Sequence, residues 1–172
     1  GEELKFFSPT HILMPGVGSV KQAMSNIKKR NLIDVLEHLV IKGNAYLCGI
    51  CVGMQILTES SEEFGFTECL GWLPGKVKKI KSTGLSIPHI GWNTMTTNKK
   101  ADQIFEGIES SDMYFAHSYA AECPNQYVIS YTNYGSTFVS AIRDKNIYGI
   151  QSHPEKSAEV GNIFFKNFLS LD

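Results

Sequence analysis

Residues Ala45–Gln55 read AYLCGICVGMQ, and the roles of Cys48 and Cys51 within this stretch decide both fold and chemistry. A Cys-x-x-Cys pair is half of a zinc site, a thioredoxin-like redox pair, or a coincidence of spacing. A structural zinc site takes about four protein ligands. Here Cys69 and Cys123 are isolated and no second Cys-x-x-Cys occurs. A redox pair exposes its first cysteine at a helix start. Cys48 instead falls inside the apolar run AYLCGI, and free cysteine is among the most buried residue types. The third reading takes Gly49-Ile50-Cys51-Val52-Gly53 as G-x-C-x-G, directly after a strand and before a helix. That is the form of a nucleophile elbow with cysteine in place of serine. The turn strains the backbone at the nucleophile, and its flanks must be small because chain passes close on both sides. The sulfur then sits at a helix N-terminus, where partial positive charge favours thiolate. On this reading Cys51 is the nucleophile and Cys48 is core. A tight turn around an ordinary buried cysteine has the same pattern.

Outward from this stretch, apolar runs alternate with helical patterns. Thr10–Met14 (THILM) reads as a buried strand running into Pro15-Gly16-Val17-Gly18. Residues 21–41 carry Ile27, Leu32, Val35, Leu36, Leu39 and Val40 at helical spacing, and Gly43 and Asn44 end that helix. Ala45–Ile50 is a second strand, and Val52–Ser60 reads as helix. Strand, helix, strand, helix is the order of a parallel sheet covered by helices. The second half differs. Short strands are expected over 76–81, 92–97, 113–117, 127–131, 137–142 and 147–151, joined by turn residues. A last helix begins near Ser157, a suitable N-cap. The fold class is therefore α/β: an open, mostly parallel sheet flanked by helices, with added antiparallel strands. Residues 1–172 form one domain on this reading.

The composition excludes several functions. Of 172 residues, 42% are hydrophobic and 19% charged, and the net charge is −1, with no basic stripe for nucleic acid. No apolar run approaches the roughly 20 residues of a membrane span. The opening GEELKFF lacks a basic start before an apolar stretch, unlike a signal peptide. Four unevenly spaced cysteines do not suggest a disulfide framework. A cytoplasmic protein is expected.

A cysteine nucleophile requires a base and a group to orient it. Of the five histidines, His38 lies on the amphipathic helix and His11 starts a strand without an acid beside it. His117 ends an apolar strand before Ser118-Tyr119. His153 follows the strand NIYGI in Gln151-Ser152-His153-Pro154-Glu155. In extended chain, positions 153 and 155 point the same way, so Glu155 can hold one imidazole nitrogen while the other faces a thiolate. An oxyanion hole is expected from the Val52 N–H and the Gly16-Val17-Gly18 loop, whose glycines let a peptide approach closely. The loop lacks the spacing of a phosphate- or dinucleotide-binding loop.

PGVG at 15–18, GICVGMQ at 49–55, PHIGWN at 88–93, HSY at 117–119 and HPEKS at 153–157 occur in that order. Together they resemble class I, triad-type glutamine amidotransferases. Within these they are most similar to the glutaminase (HisH) subunits of imidazole glycerol phosphate synthase, from about residue 10 to the C-terminus. The resemblance implies a flavodoxin-like sheet and hydrolysis of glutamine through a Cys51–His153–Glu155 triad. Gln55, one turn beyond Cys51, would reach the substrate, and Ser118 and Tyr119 would clamp its amino-acid end. Pro88, His89, Ile90, Gly91 and Trp92 would face a HisF-like TIM-barrel cyclase in a heterodimer. Ammonia passed to that cyclase would build imidazole glycerol phosphate and AICAR in histidine biosynthesis. No metal or organic cofactor is implied.

Three departures stand out. Family members carry a further strand and helix ahead of the PGVG strand, whereas this sequence starts only a few residues before it, and Val20 and Ser152 replace residues that are usually aromatic. These two changes leave open a paralogue that supplies ammonia for amidation of a surface sugar.

Overall fold

The computed structural model describes residues 8–98 and 102–172; the opening GEELKFF lies outside the described residues. β1 (His11–Gly16) leads into α1 (Val20–Lys29). Ser19 caps α1, its side chain accepting from the Gln22 N–H. The single helix expected over 21–41 is two pieces. Asn31 takes a left-handed φ of 51°, ending α1 in the way Asn tolerates. α2 (Ile33–Leu36) then runs straight into a π-helical turn, Glu37–Lys42. Gly43 and Asn44, at φ 57°, close it as expected.

β2 (Tyr46–Cys51) follows, and α3 begins at the next residue but covers only Val52–Gln55, shorter than the helix expected to Ser60. The chain from 56 to 79 builds short strands instead: β3 (Ser60–Ser61), β4 (Thr67–Glu68) and β5 (Lys76–Lys79). β6 (His89–Thr97), β7 (Ser110–His117), β8 (Tyr119–Glu122), β9 (Val128–Asn133), β10 (Thr137–Asp144), β11 (Ile147–Ile150) and α4 (Ala158–Leu169) follow, with short 3-10 turns at Gln103–Phe105, Asn125–Tyr127 and Pro154–Lys156.

Among the described residues, the main sheet has seven strands in the order β1-β2-β11-β10-β9-β6-β7. Only β1–β2 and β2–β11 pair in parallel; the other neighbours are antiparallel. The α/β class holds, but the antiparallel part is larger than a mostly parallel sheet implies. Parallel neighbours require a crossover, and this chain spends its second half on hairpins. In a second sheet, β4-β3-β5-β8, only β5 matches an expected strand, since the two-residue β3 and β4 carry no periodic signal.

The helices close the core. α4 places Phe164 and Phe168 four residues apart on one face, both fully buried. Phe164 meets Phe105, and Phe168 meets Tyr148 and His11, at ring separations of 5.9, 6.4 and 5.2 Å. Each such side chain contributes about 2 kcal/mol by burial.

Candidate active site

Three parallel strands end together. Gly16 pairs with Cys51, and Ile50 pairs with Ile150, so the loops after β1, β2 and β11 leave the sheet side by side. Ligand sites of open α/β sheets lie at such carboxyl ends. The three sequence segments singled out, PGVG, GICVG and HPE, are these loops.

Cys51 has φ 55° and ψ −111°, a conformation L side chains rarely adopt. The glycines around it are fixed by contact. A Cβ on Gly49 would lie 2.5 Å from the Gly53 carbonyl oxygen, and one on Gly53 would lie 1.9 Å from the Met14 oxygen. One on Gly16 would meet the Gly53 nitrogen at 2.6 Å. The elbow is thus wedged between β1 and the start of α3.

Cys51 is 4% exposed, and burial pushes its thiol up to about 11. The Val52 N–H pulls the other way, as does Lys156, while Glu155 and Glu63 add to the rise. The helix-start expectation of a favoured thiolate therefore fails at rest: a four-residue helix is outweighed by desolvation. Cys48 is fully buried and its thiol is raised further by burial alone, so it offers no exposed redox partner. All four cysteines are free.

His153 is held on both sides. Its N–H donates to the Tyr114 carbonyl at 2.8 Å. Its own carbonyl accepts from the Ser157 hydroxyl at 2.6 Å, and that oxygen accepts from the Tyr114 N–H at 3.0 Å. Ser157 stands at the N-cap position but makes no capping bond; it ties the histidine to β7 instead. Nδ1 of His153 lies 2.6 Å from Glu155 Oε1. The pair expected from extended chain is present, but a 3-10 turn at Pro154–Lys156 brings it about. Gly161 of α4 presses on that turn: a Cβ there would fall 1.8 Å from the Pro154 oxygen.

One cavity of about 370 Å³ gathers Val17, Gly18, Cys51, Val52, Gln55, Ser118, Tyr119 and His153, with Pro88 and Ile90 also in its lining. Gly16 lies under the elbow, and Glu155 stands behind His153, so neither lines it. Ile90 and Trp92 are exposed at 62% and 54%, on one face of β6. His89 points the other way. It is buried and stacks on Phe115 and Tyr134, so its side chain presents nothing to a partner at this face.

Glu63, Phe64 and the Gln151 carboxamide were not marked by the sequence, whereas Gln55 was, and His117, at the end of its strand, does line the cavity. Glu63 and Phe64 line the cavity, and Glu63 accepts from the Val20 N–H at the start of α1. Gln55 Nε2 donates to the Tyr119 carbonyl at 2.8 Å and to Gln151 Oε1 at 3.0 Å. Gln151 Nε2 in turn lies 3.6 Å from the Cys51 sulfur. His117 joins the same network, its Nδ1 2.9 Å from the Tyr119 carbonyl and its Nε2 3.0 Å from His89 Nδ1. No periodicity or motif spacing announces these contacts, which join β2, β6, β7 and β8 with α3 and the loop after β11.

Residues 3–171 match the family described as glutamine amidotransferase class-I. Imidazole glycerol phosphate synthase subunit HisH of Bdellovibrio bacteriovorus is 40% identical over 94% of this chain and 81% of that protein. The protein of the same name from Leptospira interrogans is 42% identical over 99% and 84%. Among solved structures, one described as a glutamine amidotransferase superposes with a TM-score of 0.68 at 16% identity, over 92% of this chain and 79% of the other. The glutaminase domain of Trypanosoma brucei CTPS gives 0.60 at 16% identity, over 99% and 74%. The family match over nearly the whole sequence, with relatives near two-fifths identity, makes this chain a member of the class I glutamine amidotransferases.

Proposed function

We infer that the chain is the glutaminase subunit of an imidazole glycerol phosphate synthase, releasing ammonia from glutamine for a HisF-type cyclase in histidine biosynthesis. The observation that carries this is the convergence of the elbow cysteine and the Glu155-bound His153 on one cavity, in a chain about 40% identical to HisH subunits.

In the proposed reaction, the Cys51 proton passes to His153, and the sulfur attacks the side-chain amide carbon of glutamine. The Val52 N–H and the Gly16-Val17-Gly18 loop stabilise the oxyanion. His153 gives its proton to the leaving nitrogen, ammonia departs, and a thioester remains. Water, deprotonated by His153, then releases glutamate and restores the thiol. Glu155 keeps the ring oriented and offsets its charge. Both N–H groups of Gln55 are engaged, so its carbonyl oxygen is the end available to a substrate N–H. Ser118 and Tyr119 hold the amino-acid end. Ile90 and Trp92 meet the cyclase.

Val20 and Ser152 are fully buried, and the Ser152 hydroxyl rests on the Met95 and Met113 sulfurs. Both lie in the core and not on the surface, so these departures do not favour a different ammonia acceptor. No helix among the described residues is long and apolar enough to cross a membrane. The cytoplasm is the proposed compartment.

The test is Cys51→Ala. It abolishes ammonia release from glutamine while the chain still binds its cyclase. Persistent glutamine turnover in that variant ends the assignment.

A further inference from the structure

We propose that Gln151 is a further catalytic residue, whose carboxamide donates an N–H to the Cys51 sulfur and stabilises the thiolate as its proton leaves for His153. This rests on the glutaminase reading above. Gln151 is fully buried, and its position follows from the sheet. Because Ile50 pairs with Ile150, residues 51 and 151 step off adjacent parallel strands together. The Gln151 N–H is fixed on the Ser140 carbonyl at 2.8 Å.

The orientation of the carboxamide follows from its neighbours. Gln55 Nε2 is held by the Tyr119 carbonyl, and it offers Gln151 a donor at 3.0 Å. The end of Gln151 facing it must be oxygen, which turns the NH₂ end toward sulfur, 3.6 Å away. A neutral thiol accepts such a bond weakly, whereas an anionic sulfur accepts it as a charge-assisted one. The donor therefore favours the state the reaction needs. The carboxamide oxygen serves Gln55, and an apolar side chain of the same length would leave that Gln55 N–H without its acceptor; the NH₂ end is the part of Gln151 that acts on sulfur. The charged groups acting on this sulfur are Glu155 and Glu63, which oppose ionisation, and Lys156, which favours it. Besides the Val52 N–H, Gln151 is the neutral donor aimed at the sulfur among the described residues.

The experiment follows alkylation of Cys51 by iodoacetamide from about pH 6 to about pH 11, read on the Cys51 peptide, in the wild type and in Gln151→Met and Gln151→Glu. Methionine keeps the length without the donor. Glutamate still accepts from Gln55 but gives nothing to sulfur and adds negative charge. In Gln151→Met the profile moves up by about one pH unit and the rate at pH 7 falls about tenfold; in Gln151→Glu both effects are larger. Folded variants whose profiles overlay the wild type overturn the proposal. If neither variant folds, the wild type still decides. The side-chain amide resonances of Gln151 follow the Cys51 titration when the bond exists, and stay fixed as the thiol ionises if the proposal is wrong. Labelling by a glutamine-mimicking chloroketone separates the two claims. A wild type that is not labelled at Cys51 defeats the glutaminase reading. One that is labelled, with unchanged Gln151 variants, defeats only the role of Gln151.

Discussion

His153 and Glu155 make a 2.6 Å contact across a single 3-10 turn, with the histidine buried and the carboxylate 43% exposed. An exposed acid holds a buried base, so the acid acts mainly by fixing the ring, and its charge is partly screened by solvent. Glu155→Ala is expected to lower kcat for ammonia release roughly 10²–10⁴-fold with little change in KM. Glu155→Gln keeps a hydrogen-bonding oxygen and falls between that variant and wild type. Steady-state assays check this; a kcat within twofold in Glu155→Ala removes the carboxylate from the mechanism.

Glycines near the site separate two kinds of constraint. Gly53 has backbone in its way, with the Met14 oxygen 1.9 Å from the added carbon, whereas Gly18 has open space but a φ of 84°. Gly53→Ala must push β1 and α3 apart and is expected to lose several kcal/mol, at the upper end for single substitutions. Gly18→Ala meets only backbone strain, about 1–2 kcal/mol. Denaturant unfolding of both distinguishes them, and equal losses contradict the geometry.

Much of this site was legible because its main parts are local. The elbow is five consecutive residues, and the histidine and its acid lie within three. The parallel core around β1 and β2 was legible for the same reason, since long apolar runs flank strong helix signals. The parts that were not legible depend on distant chain. Asn31 breaks a helix whose apolar spacing continues unbroken past it. The turn of His89 into the core is decided by Phe115 and Tyr134 on other elements. Ser157 looks like a cap, yet β7 takes its hydroxyl.

Ile90 and Trp92 alternate on the outer face of β6, more than half exposed. Large apolar side chains displayed together on a strand mark a contact surface, and tryptophan is enriched among residues that dominate such contacts. Trp92→Ala is expected to weaken binding of the cyclase by at least tenfold, about 1.4 kcal/mol or more. Titration calorimetry measures it. An unchanged Kd places the cyclase elsewhere.

Asn93, His89, His117 and the Tyr119 carbonyl form a chain of hydrogen bonds at 3.2, 3.0 and 2.9 Å. The Asn93 amide donates to His89 Nε2, His89 Nδ1–H donates to His117 Nε2, and His117 Nδ1–H donates to Tyr119. Each ring accepts through one nitrogen, so both are neutral, and burial holds both down to about 4. An unfolded histidine titrates near 6.5. Between these values the unfolded chain binds more protons than the folded one. Stability is therefore complete above about pH 6.5 and is lost as pH falls toward 4, by at most about 1.4 kcal/mol per pH unit for each ring. Denaturant midpoints taken across this window measure the loss. In the double variant His89→Asn, His117→Asn, the slope that these rings contribute disappears, although the protein is less stable overall. A slope as steep as wild type in that variant assigns the acid sensitivity to carboxylates instead.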